Sequence, residues 1–427
     1  MDLRAAWRQW RGIILSTTAV MVGLRIGDLL NVLNAAVLSR WLAPQEFGQA
    51  SALLSALAIP ATAVGVVVCR EAVWLTETAE HDALLRYVWR WFWWLVAIGA
   101  AAGGVVLVFG ETFQEVFRIK QAAVTYAFIA TLLVTIIAPL WGGVLQGQHR
   151  FWPLSMIPIV QSCVRILATM GLLYAGLRLL GAVVAPTLSA LAAIGWCMYW
   201  VHQPLKRAAA IVTPAANRPQ RPPPLTALLN DLLPITAMTL LMSSDVIVAN
   251  FLFAEQSGGF AAVSMIGKLT FYVPQGIAVV LLPHVMRNDA RGESSLHYLR
   301  ASVGASALMS AAIIAVLYVW NNQIMHLLRP DNAFTAYAGF LPRYTLAMGF
   351  YSIIPLTTNY AMARGVKRVG WYLLAVAPAQ ILVFYLFRHS MQQLVDAVTI
   401  VAGVAAVGSY VLLITLPRTR RVAAVRP

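Results

Sequence analysis

Long apolar stretches, separated by short polar breaks, run along almost the whole chain. About 20 apolar residues are enough for an α-helix to cross the hydrocarbon core of a bilayer. The pattern predicts twelve membrane-spanning helices, at residues 12–38, 47–69, 88–110, 121–145, 152–176, 179–201, 227–253, 258–285, 299–327, 335–362, 369–387 and 394–416. We therefore predict an all-α integral membrane protein.

The longest polar stretch divides these spans into six and six. It is rich in proline and basic residues, which is typical of a linker and not of a folded domain. The predicted domains are an N-terminal six-helix bundle at residues 1–202, a cytoplasmic linker at 203–226, and a C-terminal six-helix bundle with a basic cytoplasmic tail at 227–427.

A short repeat supports this division. The segment from Asn34 to Gly48, at the end of the first span, has the same length as the segment from Asp245 to Gly259 at the end of the seventh. Both halves start on the same side of the membrane, so we expect parallel repeats related by an axis along the membrane normal. Two such bundles around a central site are a common transporter architecture.

Composition and charge agree with a membrane protein. The chain is 60% hydrophobic and 11% charged, whereas soluble domains carry about 25% charged residues. The net charge of +15 does not indicate nucleic-acid binding, because the basic residues lie mostly in short loops. The predicted N-terminal side carries 21 Lys and Arg residues against 6 on the other side. Both termini are therefore predicted to be cytoplasmic, and the first span is expected to be retained and not cleaved as a signal peptide.

Ionisable residues lie well inside five of the spans. A charge at membrane depth costs roughly 2.5 to 3.5 kcal/mol on insertion scales, so such residues usually mark a substrate path or an ion site. Four are basic and two are acidic, namely Arg25, Arg165, Lys268 and Arg343 against Asp28 and Asp245. This balance favours an anionic cargo, and the four basic residues are predicted to line its cavity.

Arg165 lies near the middle of the fifth span, too deep to reach either interface easily. Its guanidinium is always charged and forms a fork that matches phosphate oxygens. Two interpretations remain open. Arg165 either contacts a phosphate or another anionic group, or donates structural hydrogen bonds to a neighbouring helix.

The first span also carries Arg25 and Asp28, three residues apart and hence on one face of the helix. They form either a local ion pair or a part of the substrate site. Asn34 is expected to extend them into a polar stripe that faces the bundle interior. Asp28, Asn34 and Asp245 are the candidates for ion coupling or ion pairing.

Asp245 and Lys268 are predicted at similar depths in two adjacent antiparallel spans. They either form an ion pair or act as a switch, in which protonation of Asp245 frees Lys268 to hold an anion. Arg343 is predicted about two turns into the tenth span and is expected to extend its side chain to the outer interface.

The sequence contains no recognisable catalytic, cofactor or metal motif. Gly267-Lys268 is followed by Leu269 and lacks the upstream glycine of a phosphate-binding loop. The three cysteines have no CxxC spacing. The outer loops are too short to hold a lipid-sugar transferase. We therefore predict a protein that moves a substrate without altering it, with no catalytic residue, metal or cofactor.

Two groups of motifs resemble a known family. Leu38-Ser-Arg-Trp-Leu-Ala-Pro-Gln-Glu-Phe-Gly-Gln-Ala-Ser-Ala-Leu53 resembles the segment that closes the first span of bacterial polysaccharide exporters of the Wzx flippase type. Three further segments are similar to the seventh and eighth spans of that family. They are Asp245-Val-Ile-Val-Ala-Asn-Phe-Leu, Gly258-Gly-Phe-Ala-Ala-Val-Ser-Met-Ile-Gly-Lys268 and Leu281-Leu-Pro-His-Val285. Ala43 departs from the glycine that the family commonly has before the proline. The wider superfamily also includes multidrug exporters and lipid II flippases, of which the latter typically have fourteen spans.

This resemblance implies a flippase in the bacterial inner membrane that moves undecaprenyl-pyrophosphate-linked oligosaccharides to the periplasmic leaflet by alternating access. The implied partners are this lipid-linked oligosaccharide, membrane lipids, a polysaccharide polymerase and a chain-length regulator. The implied pathway is O-antigen, capsule or exopolysaccharide synthesis. Two alternatives remain open: a multidrug and toxin extrusion type antiporter, whose intramembrane groups should be mainly acidic, and a membrane-bound polysaccharide polymerase or ligase, which the short outer loops disfavour.

Overall fold

A computed structural model describes residues 3–61, 64–77, 81–148, 150–209, 225–278, 295–364 and 366–415, together with Leu281 and Val285. All regular elements in these residues are helical, as predicted. Nine of the described helices are long and apolar enough to cross a membrane. The chain is therefore a multi-pass membrane protein.

The helices of the N-terminal half are α1 (Leu3–Trp41), α2 (Pro44–Ala61), α3 (Val64–Glu77), α4 (His81–Val108), α5 (Gly110–Phe117), α6 (Ala122–Gly147), α7 (Phe151–Tyr174) and α8 (Arg178–Ala209). The described helices of the C-terminal half are α9 (Leu225–Leu252), α10 (Ser257–Gly267), α11 (Leu269–Tyr272), α12 (Leu296–Val319), α13 (Asn321–Leu328), a 3-10 helix (Thr335–Phe340), α14 (Leu341–Tyr351), α15 (Ile353–Ala363), α16 (Arg368–Leu386) and α17 (Met391–Ile414).

Three of the twelve predicted spans each contain two short described helices; in the second span, residues 62 and 63 between them lie outside the described residues. The second span contains α2 and α3, the eighth contains α10 and α11, and the tenth contains α14 and α15. In the tenth, Pro355 has no backbone N–H to donate to the carbonyl of Tyr351, and the helix is interrupted at Ser352. In the eighth, the amide of Phe271 donates to the carbonyl of Lys268 at 3.0 Å, which is the tighter 3-10 spacing. The helices of these three spans are 4 to 18 residues long, and none of them is among the nine that are long and apolar enough to cross a membrane.

Helix ends recur at a constant separation in the two halves. Trp41 and Leu252 end α1 and α9, and Val108 and Val319 end α4 and α12. Each pair is 211 residues apart (41 to 252, 108 to 319). The short helices α5 and α13 are both eight residues long and show the same separation at both ends. The two halves are therefore parallel repeats of one six-span unit, as the sequence repeat predicted.

The halves pack closely at one end of the bundle, where α1 ends and α2 begins. We call this end the distal end, and the charge distribution predicts that it is periplasmic. There α2 packs against α9 and α10. Gly48 lies against Ser257 and Gly258, and Gly258 lies against the backbone of Pro44. A side chain at either glycine would collide with the other half, so both are needed for this close approach.

Within the N-terminal half, α1 packs extensively against α7. Gly23 lies against the backbone of Ser155, and Gly27 lies against Pro158. The hydroxyl of Ser162 donates a hydrogen bond to the carbonyl of Gly27 at 3.2 Å. Small residues and hydroxyl groups are typical of close helix–helix contacts in membranes. α1 and α7 therefore form a tightly joined pair.

The predicted linker is only partly covered by the structure. α8 continues to Ala209 and α9 begins at Leu225, so helices extend into both ends of the segment 203–226. The rest of this segment and the basic tail after residue 415 lie outside the described residues. The domain boundaries stay a prediction.

Candidate functional site

Arg165 lies close to the middle of α7 and is held by two neutral side chains. Its Nη1 donates to Oδ1 of Asn31 in α1 at 3.3 Å, and its Nε donates to Oγ of Ser189 in α8 at 3.5 Å. No described carboxylate lies within 4.0 Å of the guanidinium. The other N–H groups, including both on Nη2, have no partner among the described residues. Among the described residues, Arg165 therefore has no counter-charge and keeps unused donors.

The face of α7 that carries Arg165 points into the protein. Cys163, Leu167, Met170 and Tyr174 are exposed, and at 100° per residue they lie about 140° to 200° around the helix from Arg165. Arg165 itself is half-buried. The unpartnered Nη2 is not fully enclosed by protein atoms. Its N–H groups are on the side of α7 away from the exposed apolar face.

Arg25 forms the local pair that its spacing predicted. Its Nη1 lies 2.8 Å from Oδ2 of Asp28. The same nitrogen donates to the backbone carbonyl of Tyr272 in the other half at 2.5 Å. The side chains of Arg25 and Asp28 are 34% and 32% exposed. Arg25 is thus a compensated charge that also bridges the two halves.

The polar stripe on α1 continues through Asn31 and not through Asn34, which corrects the prediction. Arg25 and Asn34 are nine residues apart, so they lie about 180° apart around the helix. Asn34 is buried, and its Oδ1 has no hydrogen-bond partner among the described residues. Asn31 follows Asp28 by three residues and accepts the hydrogen bond from α7. That i,i+3 spacing was the available signal in the sequence.

Asp245 and Lys268 form the predicted pair. The Nζ of Lys268 lies 3.8 Å from Oδ1 of Asp245, whose side chain is 1% exposed. The hydroxyl of Tyr344 donates to Oδ2 of Asp245 and lies 2.8 Å from Oγ of Ser264. Oδ1 has no hydrogen-bond partner among the described residues, because 3.8 Å is too long for one. The buried carboxylate is therefore stabilised by one ammonium group and one phenol.

A second buried polar group lies next to this pair and was not identified from the sequence. The hydroxyl of Tyr351 donates to Oε1 of Gln380 at 2.8 Å. The Nε2 of Gln380 donates to the carbonyl of Leu241 at 2.8 Å and to Oγ of Ser244 at 3.0 Å. Gln380 is fully buried, and Ser244 immediately precedes Asp245 in α9. These hydrogen bonds join α9, α14 and α16 around the carboxylate.

Arg343 lies near the start of α14, directly after the 3-10 helix. α14 begins at Leu341, so Arg343 lies in the first turn of that helix. Its Nη1 lies 3.5 Å from Oδ1 of Asp396, and the two side chains are 53% and 44% exposed. With Asp396 included, the four basic candidates face three carboxylates, and their net charge is +1 instead of the predicted +2. The remaining positive charge is that of Arg165.

The buried candidates form a polar band across both halves. Tyr272 connects the first ion pair to the C-terminal half, since its carbonyl accepts a hydrogen bond from Arg25. In the N-terminal half the band ends at Arg165. The described part of the chain contains no group of three or more metal-ligating residues. The arrangement places a cation with neutral partners in the N-terminal half and a buried ion pair in the C-terminal half.

Comparisons with known proteins give structural matches only. No family profile and no curated protein matches the chain. The chain is similar to the inward-facing conformation of a multidrug resistance MATE family transporter of the MOP superfamily, with a TM-score of 0.72 and 14% identity over 92% of this chain and 97% of that one. For an outward-facing conformation of such a transporter the TM-score is 0.63, with 16% identity over 94% of each chain. The chain is also similar to a MOP superfamily transporter from Pyrococcus furiosus, described as having a binding pocket of reverse polarity. The TM-score is 0.65, with 16% identity over 94% of each chain.

At these identities the similarity establishes the fold alone. The chain has the fold of the MOP superfamily transporters, which consists of twelve membrane helices in two six-helix repeats. This confirms the predicted fold class. The cargo has to be argued from the chain's own residues.

Proposed function

We propose that this protein is a flippase for undecaprenyl-pyrophosphate-linked oligosaccharides in the bacterial inner membrane. It would supply O-antigen, capsule or exopolysaccharide synthesis. The fold supports transport by alternating access, because its structural neighbours are transporters described in inward-facing and outward-facing conformations. Two repeats in contact at the distal end fit a cycle in which the halves separate first at one end and then at the other.

The uncompensated charge of Arg165 carries this proposal. Arg25 and Lys268 each have a carboxylate partner, and Arg343 reaches the exposed Asp396. Arg165 has only neutral partners and keeps unused donors on an inward face. A pyrophosphate offers acceptor oxygens that match a guanidinium fork. The Pyrococcus furiosus transporter, for which a reversed pocket polarity is said to suggest a different function, supports a cargo other than a cationic drug.

The Asp245–Lys268 pair is the proposed site of coupling to an ion gradient. Protonation of the buried Asp245 would remove the charge that holds Lys268. The freed ammonium group would then be available to an anion in the adjacent polar band. Release of the proton from Asp245 on the other side of the membrane would restore the ion pair and release the anion.

A multidrug and toxin extrusion type antiporter is the second candidate. The MATE neighbours and the buried carboxylate of Asp245 favour it. A cationic drug requires a carboxylate that is available to it, whereas Asp28 and Asp245 both have basic partners. The flippase therefore agrees better with the geometry.

The test replaces Arg165 in a strain whose own flippase gene is deleted. We expect Arg165→Ala to abolish surface polysaccharide at a normal membrane level of the protein. Arg165→Lys should rescue export only partly, because the ammonium group lacks the fork. Arg300→Ala, which removes an exposed basic residue of α12, is the matched control and should export normally. Normal polymer in well-expressed Arg165→Ala would refute the proposal.

The same strains distinguish the second candidate. Efflux of a cationic dye such as ethidium is measured in the wild type and in the Asp245→Asn and Arg165→Ala variants. Efflux that depends on Asp245 and not on Arg165 would establish the antiporter. We expect no dye efflux above the deletion strain.

A further inference from the structure

We infer that three arginines at the distal end form a latch that fastens the two halves together and opens once in each transport cycle. Arg40, Arg118 and Arg329, hereafter the distal latch, all donate to backbone carbonyls of the opposite half. The inference rests on the proposed function only in requiring that the distal end opens. It does not depend on the identity of the cargo.

Arg329 makes the most buried contact of the latch, with a side chain that is 14% exposed. It follows α13 and reaches the end of α1 in the other half. Its Nη1 donates to the carbonyls of Ser39 and Leu42 at 2.6 and 2.8 Å. Carbonyls at the C-terminal end of a helix lack partners within that helix, and a cation is favourable there. Arg329 therefore caps α1.

Arg40 makes the reciprocal contact. Its Nη2 and Nε donate to the carbonyls of Leu327 and Leu328, at 2.6 and 3.1 Å. These residues end α13, directly before Arg329. Each arginine thus caps the helix beside the other, and neither set of hydrogen bonds survives a separation of the halves. Opening of the distal end must break both.

Arg118 repeats this arrangement on the opposite side of the pseudo-two-fold axis. It lies 211 residues before Arg329 (118 to 329), the same separation that relates the helix ends. Like Arg329, it directly follows the short helix of its own half. Its Nη2 donates to the carbonyl of Phe251 at 3.1 Å, at the end of the first helix of the other half. The two equivalent arginines therefore both donate to the end of the first helix of the opposite half, which indicates a built interface.

An aromatic contact lies directly under the latch. The rings of Phe47 in α2 and Phe334 in the C-terminal half have centroids 5.8 Å apart, and both residues are almost fully buried. The guanidinium of Arg329 lies 5.6 Å from the centre of the Phe334 ring. Release of Arg329 would therefore loosen an apolar seal between the halves as well as the hydrogen bonds.

The experiment measures opening of the distal end directly. Ser257 is 2% exposed and lies against Gly48 of the other half. Ser257→Cys is introduced after the three native cysteines are replaced by serine, and its reaction with a membrane-impermeant maleimide is timed in intact cells. We expect labelling about tenfold faster in Arg329→Ala and Arg40→Ala, because each loses two charge-assisted hydrogen bonds. Arg118→Ala should show a smaller increase, since it loses one exposed hydrogen bond.

Arg388→Ala is the matched control. Arg388 is also a basic residue at the distal end, where it lies between α16 and α17. Its guanidinium lies 4.1 Å from the centre of the Tyr385 ring, which belongs to the same half. Its removal changes the charge equally and should leave the labelling rate unchanged. Equal rates in the Arg329, Arg40 and Arg388 variants would overturn the latch.

A cross-link tests the latch with all three arginines in place, in case the alanine variants do not fold. The Oγ of Ser39 lies 3.5 Å from the carbonyl of Leu328 in the other half. Oxidation of Ser39→Cys/Leu328→Cys should stop export, and a reductant should restore it. Undiminished export by the cross-linked protein would overturn the inference. The maleimide rates do not depend on cargo, so failure of the latch and failure of the proposed cargo give different results.

Discussion

The hydroxyl of Tyr344 donates a hydrogen bond to one carboxylate oxygen of Asp245, while Lys268 lies 3.8 Å from the other. Tyr344→Phe removes this hydrogen bond in the buried interior. An unsatisfied buried acceptor costs about 1 to 3 kcal/mol. We therefore expect a lower midpoint of thermal unfolding in detergent.

Tyr337→Phe is the control for this change. Tyr337 is half-buried, and its hydroxyl makes no hydrogen bond among the described residues. Its replacement should leave the midpoint close to that of the wild type. An equal midpoint in the two phenylalanine variants would show that the Tyr344 hydroxyl does not stabilise Asp245.

The pairing of Asp245 with Lys268 predicts strong coupling between the two positions. Removal of one partner of a buried ion pair costs about 3 to 5 kcal/mol, because the other charge is left uncompensated. The double variant Asp245→Asn/Lys268→Gln should therefore lose less stability than the sum of the losses in the two single variants. The free energy of unfolding of the four proteins gives the coupling directly. The exposed pair of Arg343 and Asp396 should couple by only about 0 to 1 kcal/mol, and strictly additive losses at Asp245 and Lys268 would exclude the pair.

The contact between Asn31 and Arg165 predicts opposite results from two similar changes. Asn31→Ala removes one acceptor and should reduce export only partly, because the charge remains. Asn31→Asp keeps an acceptor but places a carboxylate beside the guanidinium, so export should be lost. Asn34→Ala, on the other side of the same helix, should export normally. Full activity of Asn31→Asp would contradict an anion-binding role for Arg165.

The close contact of α1 with α7 makes Gly27 sensitive to even one added carbon. A Cβ there would collide with Pro158, whereas a Cβ at Gly171 of α7 would meet nothing within 4 Å. We expect Gly27→Ala to lower the free energy of unfolding by about 1 to 3 kcal/mol. Gly171→Ala should have little effect or stabilise slightly, since alanine is the better helix former. Similar unfolding curves for both variants would contradict the tight packing.

Asp331 orients the latch residue Arg329 through an ion pair of 2.7 Å. This hydrogen bond lowers the pKa of the Asp331 carboxyl below its ordinary value. A depressed pKa contributes stability that is present above the unfolded pKa of about 3.9 and is lost as the pH falls through the folded value. The ratio of the labelling rate at position 257 in Arg329→Ala to that in the wild type should therefore stay constant between about pH 5 and 8, since the thiolate fraction affects both rates equally. Asp331→Asn should raise the labelling rate at neutral pH. An unchanged rate would show that Asp331 does not support the latch.

The sequence predicted how far along a helix each candidate residue lies. The structure was needed to show which face of the helix the residue is on. Asp245 and Lys268 were correctly matched because antiparallel neighbours at equal depth tend to meet. Asn34 was wrongly added to the stripe of Arg25, because its distance along the helix was considered without its angle. Asn31 could have been found from its i,i+3 spacing.

Contacts between segments far apart in the chain could not be predicted from the sequence. The partner of Arg343 lies near the start of α17, and no local pattern connects it to α14. The latch is equally hidden, since its acceptors are backbone carbonyls that every residue possesses. The motif that begins at Asn34 revealed the repeat in the sequence. The helix ends in the structure were needed to show that Arg118 and Arg329 are related by the same separation.

The equivalence of Arg118 and Arg329 bears on how this chain arose. In a symmetric homodimer, a residue of one subunit touches a surface of the second, and its copy returns the same contact. Here Arg118 reaches the end of α9 and Arg329 reaches the end of α1, which is that isologous pattern within a single polypeptide. A six-helix ancestor that dimerised about a two-fold axis would have made both contacts with one arginine codon. Duplication and fusion of such a unit would retain this interface within one chain.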